Sequence, residues 1–421
     1  MERYKEYKET SIQWMKEIPI HWEEKKISSL FKERRTKVSD KDFPPLSVSK
    51  MGITTQLETA VKTDNGDNRK LVLKGDFVVN SRSDRKGSCG VSKLDGSVSL
   101  INIVLSPFGH INKDYFHHLA RSNDYIEEYY RLGRGIVADL WTTRYNELKG
   151  MLIPLPPLSE QETIVNYIES RTSKIDAYIA EKDKEVQLLN ELKEAEIAKV
   201  VTQGLTPDVK MKDSGISWIG MIPEHWEQYR FATICKEKSI YNCIHEELLS
   251  VYLDRGVIRF SDDTNKRTNP TSKDLSKYQL VEVGDFVLNN QQAWRGSVGV
   301  SNYRGIVSPA YFIFSLSPII VKEYANYLFR SKVCVAYYYI CSKGIGSIQR
   351  NLDWETLKQK KIAIPTIEEQ QAIVAYINEK CSKITSLISE LESEIDYLKE
   401  YKQRLIADCV TGQVNVQNEI I

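Results

Sequence analysis

The apolar pattern is clearest from Leu158 to Gly204, where Ile168, Ile175, Ile179, Val186 and Leu189 recur at steps of seven, four, seven and three. Those steps keep apolar side chains on one stripe of a helix, with Glu and Lys on the other faces, and predict a coiled-coil seam. Pro156 and Pro157 cannot sit inside a helix and fix where it begins. Ser159 followed by Glu162 predicts a capping box at the start. Gly204, Pro207 and the run Asp213 to Gly215 end the helix. A helix of this kind is about 50–65 Å long at ~1.5 Å per residue.

The same stretch occurs again from Ile367, with a seam of Ile377, Ile384, Ile388, Leu391, Ile395, Leu398 and Leu405. Gln161 matches Gln370, Tyr167 matches Tyr376 and Ile175 matches Ile384, all 209 positions apart. Neither helix can bury its stripe alone. The expectation is that each buries it against the other, as an antiparallel coiled coil.

Nearly the whole chain is duplicated, which decides the architecture. WMKEIPIHWE at Trp14 matches WIGMIPEHWE at Trp218, and LSVSKMGI at Leu46 matches LSVYLDRGVI at Leu249. The 25 residues from Gly75 align without a gap to those from Gly284. The second copy carries a small polar insertion around Asp262 to Ser276. Each copy has short β-type runs, such as Phe77-Val78-Val79, Phe286-Val287-Leu288 and Tyr311 to Phe314, between Gly, Asn and Asp turns. Helical patterns cover Lys113 to Arg131 and Lys322 to Ile340. The predicted order is a globular domain (1–157), a central helix (158–204), a second globular domain (205–366) and a C-terminal helix (367–413). The fold class is α/β, mixed α+β. Two repeated globular domains are held apart by the helix pair, with pseudo-two-fold symmetry. Such a strut suits reading two separated sites on one linear partner.

Composition narrows the function classes. The 421 residues exceed one small core. No apolar run is long enough for a membrane span, and MERYKEYKET lacks a signal-peptide core, so a cytoplasmic location is the default. Seven cysteines without a CxxC pair read as reduced thiols, not a disulfide framework or zinc set. The formal net charge of +1 does not announce a nucleic-acid binder, although a basic face balanced by acidic helices fits it equally.

Catalytic signatures are missing from the sequence. It has no Gly-rich loop ending in GK[ST], no Asn-Pro-Pro-aromatic segment of the amino-methyltransferase kind, and no cofactor glycine loop. PDVK at Pro207 shares letters with nuclease motifs but lacks a second metal-spaced acid. The paired His21-Trp22 and His225-Trp226 lack further ligands and read as structural, with Trp packed on the helical strut. Glu160-Gln161 and Glu369-Gln370 are expected to favour the helix dipole and cap its N–H groups. Acidic residues along the helices, Glu181, Glu185, Glu191, Glu194, Glu390, Glu392 and Glu394, read as an outer face.

The stretch Met211 to Glu227, the two GDF segments, and IPLPPLSEQETIVNYI with IAIPTIEEQQAIVAYI resemble the specificity subunit of type I restriction-modification systems. The likeness covers the whole chain, departing at LINIVL after Ser99, where the second copy has PAYFIF after Ser308. It implies two target-recognition domains, each reading half of a bipartite double-stranded DNA sequence. The helical regions between them would dock two methyltransferase subunits, and restriction subunits with the motor and nuclease would join that core. It also implies no cofactor on this chain, with S-adenosylmethionine, ATP and magnesium on partner subunits.

Duplex reading needs phosphate contacts for position and polar side chains for base edges. The framework Gly75, Asp76, Asn80, Gly87, Gly90 and Ser92 recurs 209 positions on, while the loop Ser81 to Lys86 faces a different one, Asn290 to Arg295. Arg suits guanine and Asn or Gln suits adenine. The candidate DNA-binding residues are therefore Asn80, Arg82, Arg85 and Lys86 against Asn289, Gln291, Gln292 and Arg295. A second candidate segment holds Arg131, Arg134, Arg144 and Lys149, with Lys343, Gln349 and Arg350 opposite. Its glycines let backbone approach phosphate. Both segments also fit a plainer reading, as solvated polar turns whose arginines pair with nearby Glu. KERRTK, Lys32 to Lys37, reads as a solvated helix end. Two other functions remain open, a protein-only scaffold and a self-contained methyltransferase or nuclease with unrecognised motifs.

Overall fold

The computed structural model describes residues 2–56, 66–82, 85–135, 141–253, 255–262, 274–345 and 349–417. Most of the predicted insertion in the second copy, and Ser83 and Asp84, lie outside them. Two compact units result. One is Met1–Asp183 with Glu392–Ile421, the other Lys184–Leu391, so both boundaries fall inside the long helices.

In the first unit a four-stranded antiparallel sheet runs in the order Cys89–Val91, Phe77–Asn80, Asn102–Pro107, Phe31–Glu33. Successive side chains of a strand point to opposite faces. Phe77, Val79, Ile103 and Leu105 accordingly enter the core beneath the helices, while Val78 and Val104 pack on Leu46, Val72 and Val98. The second unit repeats the order with Val298–Val300, Phe286–Asn289, Tyr311–Leu316 and Cys235–Glu237. Even the register repeats: Asn102 pairs with Asn80 and Tyr311 with Asn289. LINIVL and PAYFIF therefore supply the same strand despite their different letters.

The invariant GDF aspartates have a local explanation. Asp76 accepts the Leu73 N–H at 2.9 Å and a two-pronged bond from Arg34, at 2.7 and 3.0 Å. Asp285 accepts the Glu282 N–H and the Lys238 ammonium, both at 2.8 Å. Arg34 belongs to KERRTK, which is not a helix end. Phe31–Glu33 is a sheet strand, and the arginine after it is tied down.

Each predicted helical pattern before the seams is two helices. Lys113–Leu119 is followed by Asn123–Arg131, and Lys322–Arg330 by Lys332–Ile340. The breaks fall at Ser122 and Ser331, whose extended backbone cannot continue a helix.

The long helices are Leu158–Gln203 and Ile367–Val410. Leu158 already lies in the first, so Ser159 is inside it and does not act as the expected cap. The first turn closes instead on the Pro157 carbonyl, with Glu160 and Gln161 N–H both at 2.9 Å. Within the first unit the helix segments run antiparallel: Lys402 meets Asp176 at 2.6 Å, and Tyr178 and Lys182 meet Glu394. Glu394 thus faces the seam and is not on an outer face. Within the second unit Lys193 meets Thr385 at 3.0 Å and Glu196 accepts from Tyr376 at 3.2 Å, again antiparallel.

Each unit is completed by the end of the other helix. Tyr115 donates to the Val410 carbonyl at 2.9 Å in the first unit, and Tyr324 to the Val201 carbonyl at 3.1 Å in the second. Gly204 and Gly412 follow the two helices at φ +75° and +72°, where a side chain is strained. A Cβ at Gly412 would also lie 2.6 Å from Pro19 and 3.0 Å from Trp22. No described helix is long and apolar enough to cross a membrane, and all seven cysteines are free thiols.

Candidate nucleic-acid interface

In both units the structure brings the two candidate segments side by side. The Thr143 N–H donates to the Ser81 carbonyl at 3.0 Å, and the Leu352 N–H to the Asn290 carbonyl at 3.2 Å, the same bond 209 residues on. Thr142 also pairs through its backbone with both Arg82 and Arg134. In the second unit the segment is a hairpin, Ser342–Ile345 against Gln349–Leu352, and Asn290 Oδ1 accepts the Leu352 N–H at 2.7 Å.

The two strand-end asparagines are occupied by the turn. Asn80 Oδ1 accepts the Arg82 N–H and Asn289 Oδ1 the Gln291 N–H, each at 3.1 Å, as short polar side chains do in tight turns. Beyond them, Arg82, Arg85, Gln291 and Arg295 are exposed, whereas Lys86 and Gln292 are half-buried. Lys86 meets Glu127 at 2.6 Å and lies 4.6 Å from the Tyr130 ring centre. The Gln292 carbonyl accepts the Arg295 N–H at 3.0 Å, and Arg295 lies 5.5 Å from the Trp294 ring. Arg134 and Lys343, equivalent positions, are exposed; Arg134 comes within 4.0 Å of Glu147, and Lys343 pairs with Asp353 at 3.3 Å. Arg350 sits 4.1 Å above Tyr339 and donates to its hydroxyl at 3.2 Å. Of the remaining arginines, Arg131 is clamped by Glu128 at 2.7 Å and belongs to the scaffold.

Aromatic residues at this surface escaped the sequence reading. Tyr130 and Tyr339 are equivalent, and each carries a cation on its face. Trp141 stacks on Tyr130 at 6.1 Å with an interplanar angle of 27°, while Trp294 lies 6.3 Å from Tyr339. A signal was present at the constant offset of 209 positions. Arg85 and Trp141 in one copy stand opposite Trp294 and Arg350 in the other, so arginine and tryptophan have changed places between the segments.

Beside the first unit's loop lies a cleft of about 420 Å³ lined by Arg35, Lys70, Ser81, Thr142, Arg144 and Tyr145. Burial holds the Lys70 ammonium below its ordinary pKa, and Glu33 offsets Arg35 at 2.6 Å. At the equivalents of Lys70 and Arg144 the second unit has Gln279 and Asp353, so the basic cleft is particular to the first.

Residues 223–397 match the family model described as the type I restriction modification DNA specificity domain. Over that segment the chain is similar to type I restriction-modification specificity subunits. It is 28% identical over 284 residues to the type I restriction enzyme MjaVIII specificity subunit of Methanocaldococcus jannaschii, covering 63% of each chain. It is 23% identical over 298 residues to the EcoBI specificity subunit of Escherichia coli, covering 64% of this chain and 60% of that one. The chain thus spans less than two thirds of the length of these curated relatives. Among solved structures, its fold matches a chain from work on complex assembly and conformational transition of the type I R-M system, with a TM-score of 0.63 at 16% identity. That match covers 94% of this chain and 99% of the other. The HsdS subunit from Thermoanaerobacter tengcongensis matches with a TM-score of 0.50 at 16% identity, over 94% and 98%.

Proposed function

We propose that this chain is the DNA-specificity subunit of a type I restriction-modification complex. Each globular domain reads one half of a bipartite double-stranded target, and the helix pair fixes the unspecified spacer. One observation carries this: both units join the same two loop segments on the same sheet register, yet fill them with different polar side chains. A common scaffold with different readers yields two different half-sites.

Two methyltransferase subunits dock on the helices, where Leu188, Leu192 and Leu387 are exposed in the second unit and Tyr397 and Tyr401 in the first. Restriction subunits join them. Base flipping and methyl transfer belong to these partners, with S-adenosylmethionine, ATP and magnesium. The chain's own part is recognition and positioning, and its site of action is the cytoplasm.

Methylome sequencing of cells expressing the chain with its cognate methyltransferase subunit tests this reading. The expected result is a split motif, two short blocks around a fixed undefined spacer, modified only when the chain is present. A continuous motif, or an active methyltransferase with no chain-dependent motif, would overturn it.

A further inference from the structure

We infer that Arg350 reads a guanine in the half-site of the second unit, and that Tyr339 and Trp294 are the residues that position it. The inference rests on the DNA-specificity reading and deepens it. A guanidinium offers a planar fork that fits the O6 and N7 acceptors of guanine two at a time. The fork discriminates well only if it is held before the base arrives, since ordering a long side chain on binding costs affinity. Arg350 is held in that way. Tyr339 lies beneath it at 4.1 Å and accepts one N–H at 3.2 Å, and Trp294 flanks it at 5.9 Å. Among the described residues no carboxylate pairs with it. The hairpin that carries Arg350 is pinned by Asn290, and Gly344 lies across the ladder from it, leaving that side without a bulky neighbour.

The first unit makes the opposite choice. The equivalent of Arg350 is Trp141, which stacks on Tyr130 and donates its indole N–H to the Tyr130 carbonyl at 2.9 Å. The cation over Tyr130 is Lys86, already paired with Glu127, and an ammonium has no fork. Equivalent tyrosines thus support a guanine reader in one unit and a tied lysine in the other. The exchange of Arg and Trp is one way in which the two half-sites are made to differ.

The test uses the full chain assembled with its modification subunits. Once the wild-type motif is known, each guanine of both blocks is replaced in turn by 7-deazaguanine, which lacks the N7 acceptor. Binding is then measured for wild-type, Arg350→Lys, Tyr339→Phe and Tyr339→Ala complexes. One guanine in one block should lower wild-type affinity about tenfold on replacement, the scale of one good two-pronged base contact. Arg350→Lys, whose ammonium lacks the planar fork, should respond less than wild type to that replacement and should relax methylation at that position alone. Tyr339→Phe, which keeps the ring face, should retain the response; Tyr339→Ala should lose most of it. Both residues are partly exposed, and an unchanged melting temperature shows that the variants fold. The inference is overturned if neither block contains a guanine, if no replacement responds in an Arg350-dependent way, or if Arg350→Lys weakens all sequences uniformly, as a phosphate contact would. A wild-type complex that recognises no split motif would instead remove the specificity reading itself.

Discussion

Trp22 donates its indole N–H to Glu160 at 3.1 Å, and this bond ties the N-terminal segment to the first turn of the central helix. The same carboxylate accepts from His21 at 2.8 Å and from Tyr4 at 2.5 Å, and Trp22 is fully buried. Glu369 repeats the contact with Trp226 at 3.2 Å and His225 at 2.8 Å, and among the described residues no tyrosine donates to it. The HW and EQ motifs are therefore two halves of one latch. Gln161 and Gln370 complete it, taking the Asn112 and Val321 N–H groups at 2.7 Å.

Glu160→Ala leaves the Trp22 and Tyr4 donors buried without an acceptor. Each such group costs ~1–3 kcal/mol, so the first unit should lose roughly 2–6 kcal/mol. Glu369→Ala strands one buried donor and should cost the second unit about half as much. Native-state hydrogen exchange, which resolves the two units, checks the ranking. Equal losses from the two substitutions would refute the latch.

The end of the chain belongs energetically to its beginning. Leu405, Cys409, Val410 and Val416 lie in the same core as Trp22, Phe31 and Phe116. Deleting residues 405–421 should therefore abolish slow hydrogen exchange in residues 1–183 while residues 184–391 keep theirs. Each buried aliphatic lost is worth ~1.5–3 kcal/mol, enough together to consume the stability of a typical domain. Loss of protection in the second unit first would contradict the assignment.

Seam, duplication and central strands were legible because they rest on periodicity and repetition, which a single sequence carries. Completion of each unit by the other helix was not: Tyr115 and Val410 are far apart in the chain, and nothing local in either announces the bond. The breaks at Ser122 and Ser331 were hidden because apolar spacing continues through them. KERRTK and Glu394 misled for a common reason, that charge alone does not reveal whether a partner is waiting. At the candidate site the loops were legible as equal frames with unequal contents. The tyrosine platforms were not, because Tyr130 and Tyr339 sit in a helix among neighbouring tyrosines that are core.

Arg34, half-buried, makes a two-pronged pair with Asp76, whose side chain is only 3% exposed. Asp76→Ala removes the arginine's partner and the acceptor for the Leu73 turn, and should destabilise the first unit by about 3 kcal/mol. Thermal denaturation should show the loss. Arg34→Lys, which copies the lysine that the second unit uses at Lys238, keeps a charge on Asp76 and should cost much less. A loss as large as that of Asp76→Ala would mean that the fork, not the charge, is required.

Acid should act on the first unit through His117 and His118. Burial, with Arg121 nearby, lowers both to about 4 from the ordinary 6.5. For His117, His118 and Lys93 add repulsion, while Asp114 partly offsets the effect at His118, which also faces Lys402. Neutral His117 accepts the Val91 N–H at Nδ1, at 3.1 Å. The folded state therefore resists protons that the unfolded state binds. Stability is complete above about 6.5 and falls as pH drops toward about 4, by up to ~1.4 kcal/mol per pH unit for each histidine. The second unit makes the same bond with Asn326, which accepts the Val300 N–H at 3.1 Å and does not titrate. His117→Asn should thus keep the bond and remove one histidine's share of the acid sensitivity. Denaturant unfolding of the full chain between pH 4.5 and 7.5, followed by hydrogen exchange in each unit, checks this. An unchanged pH slope in the variant would place the sensitivity elsewhere.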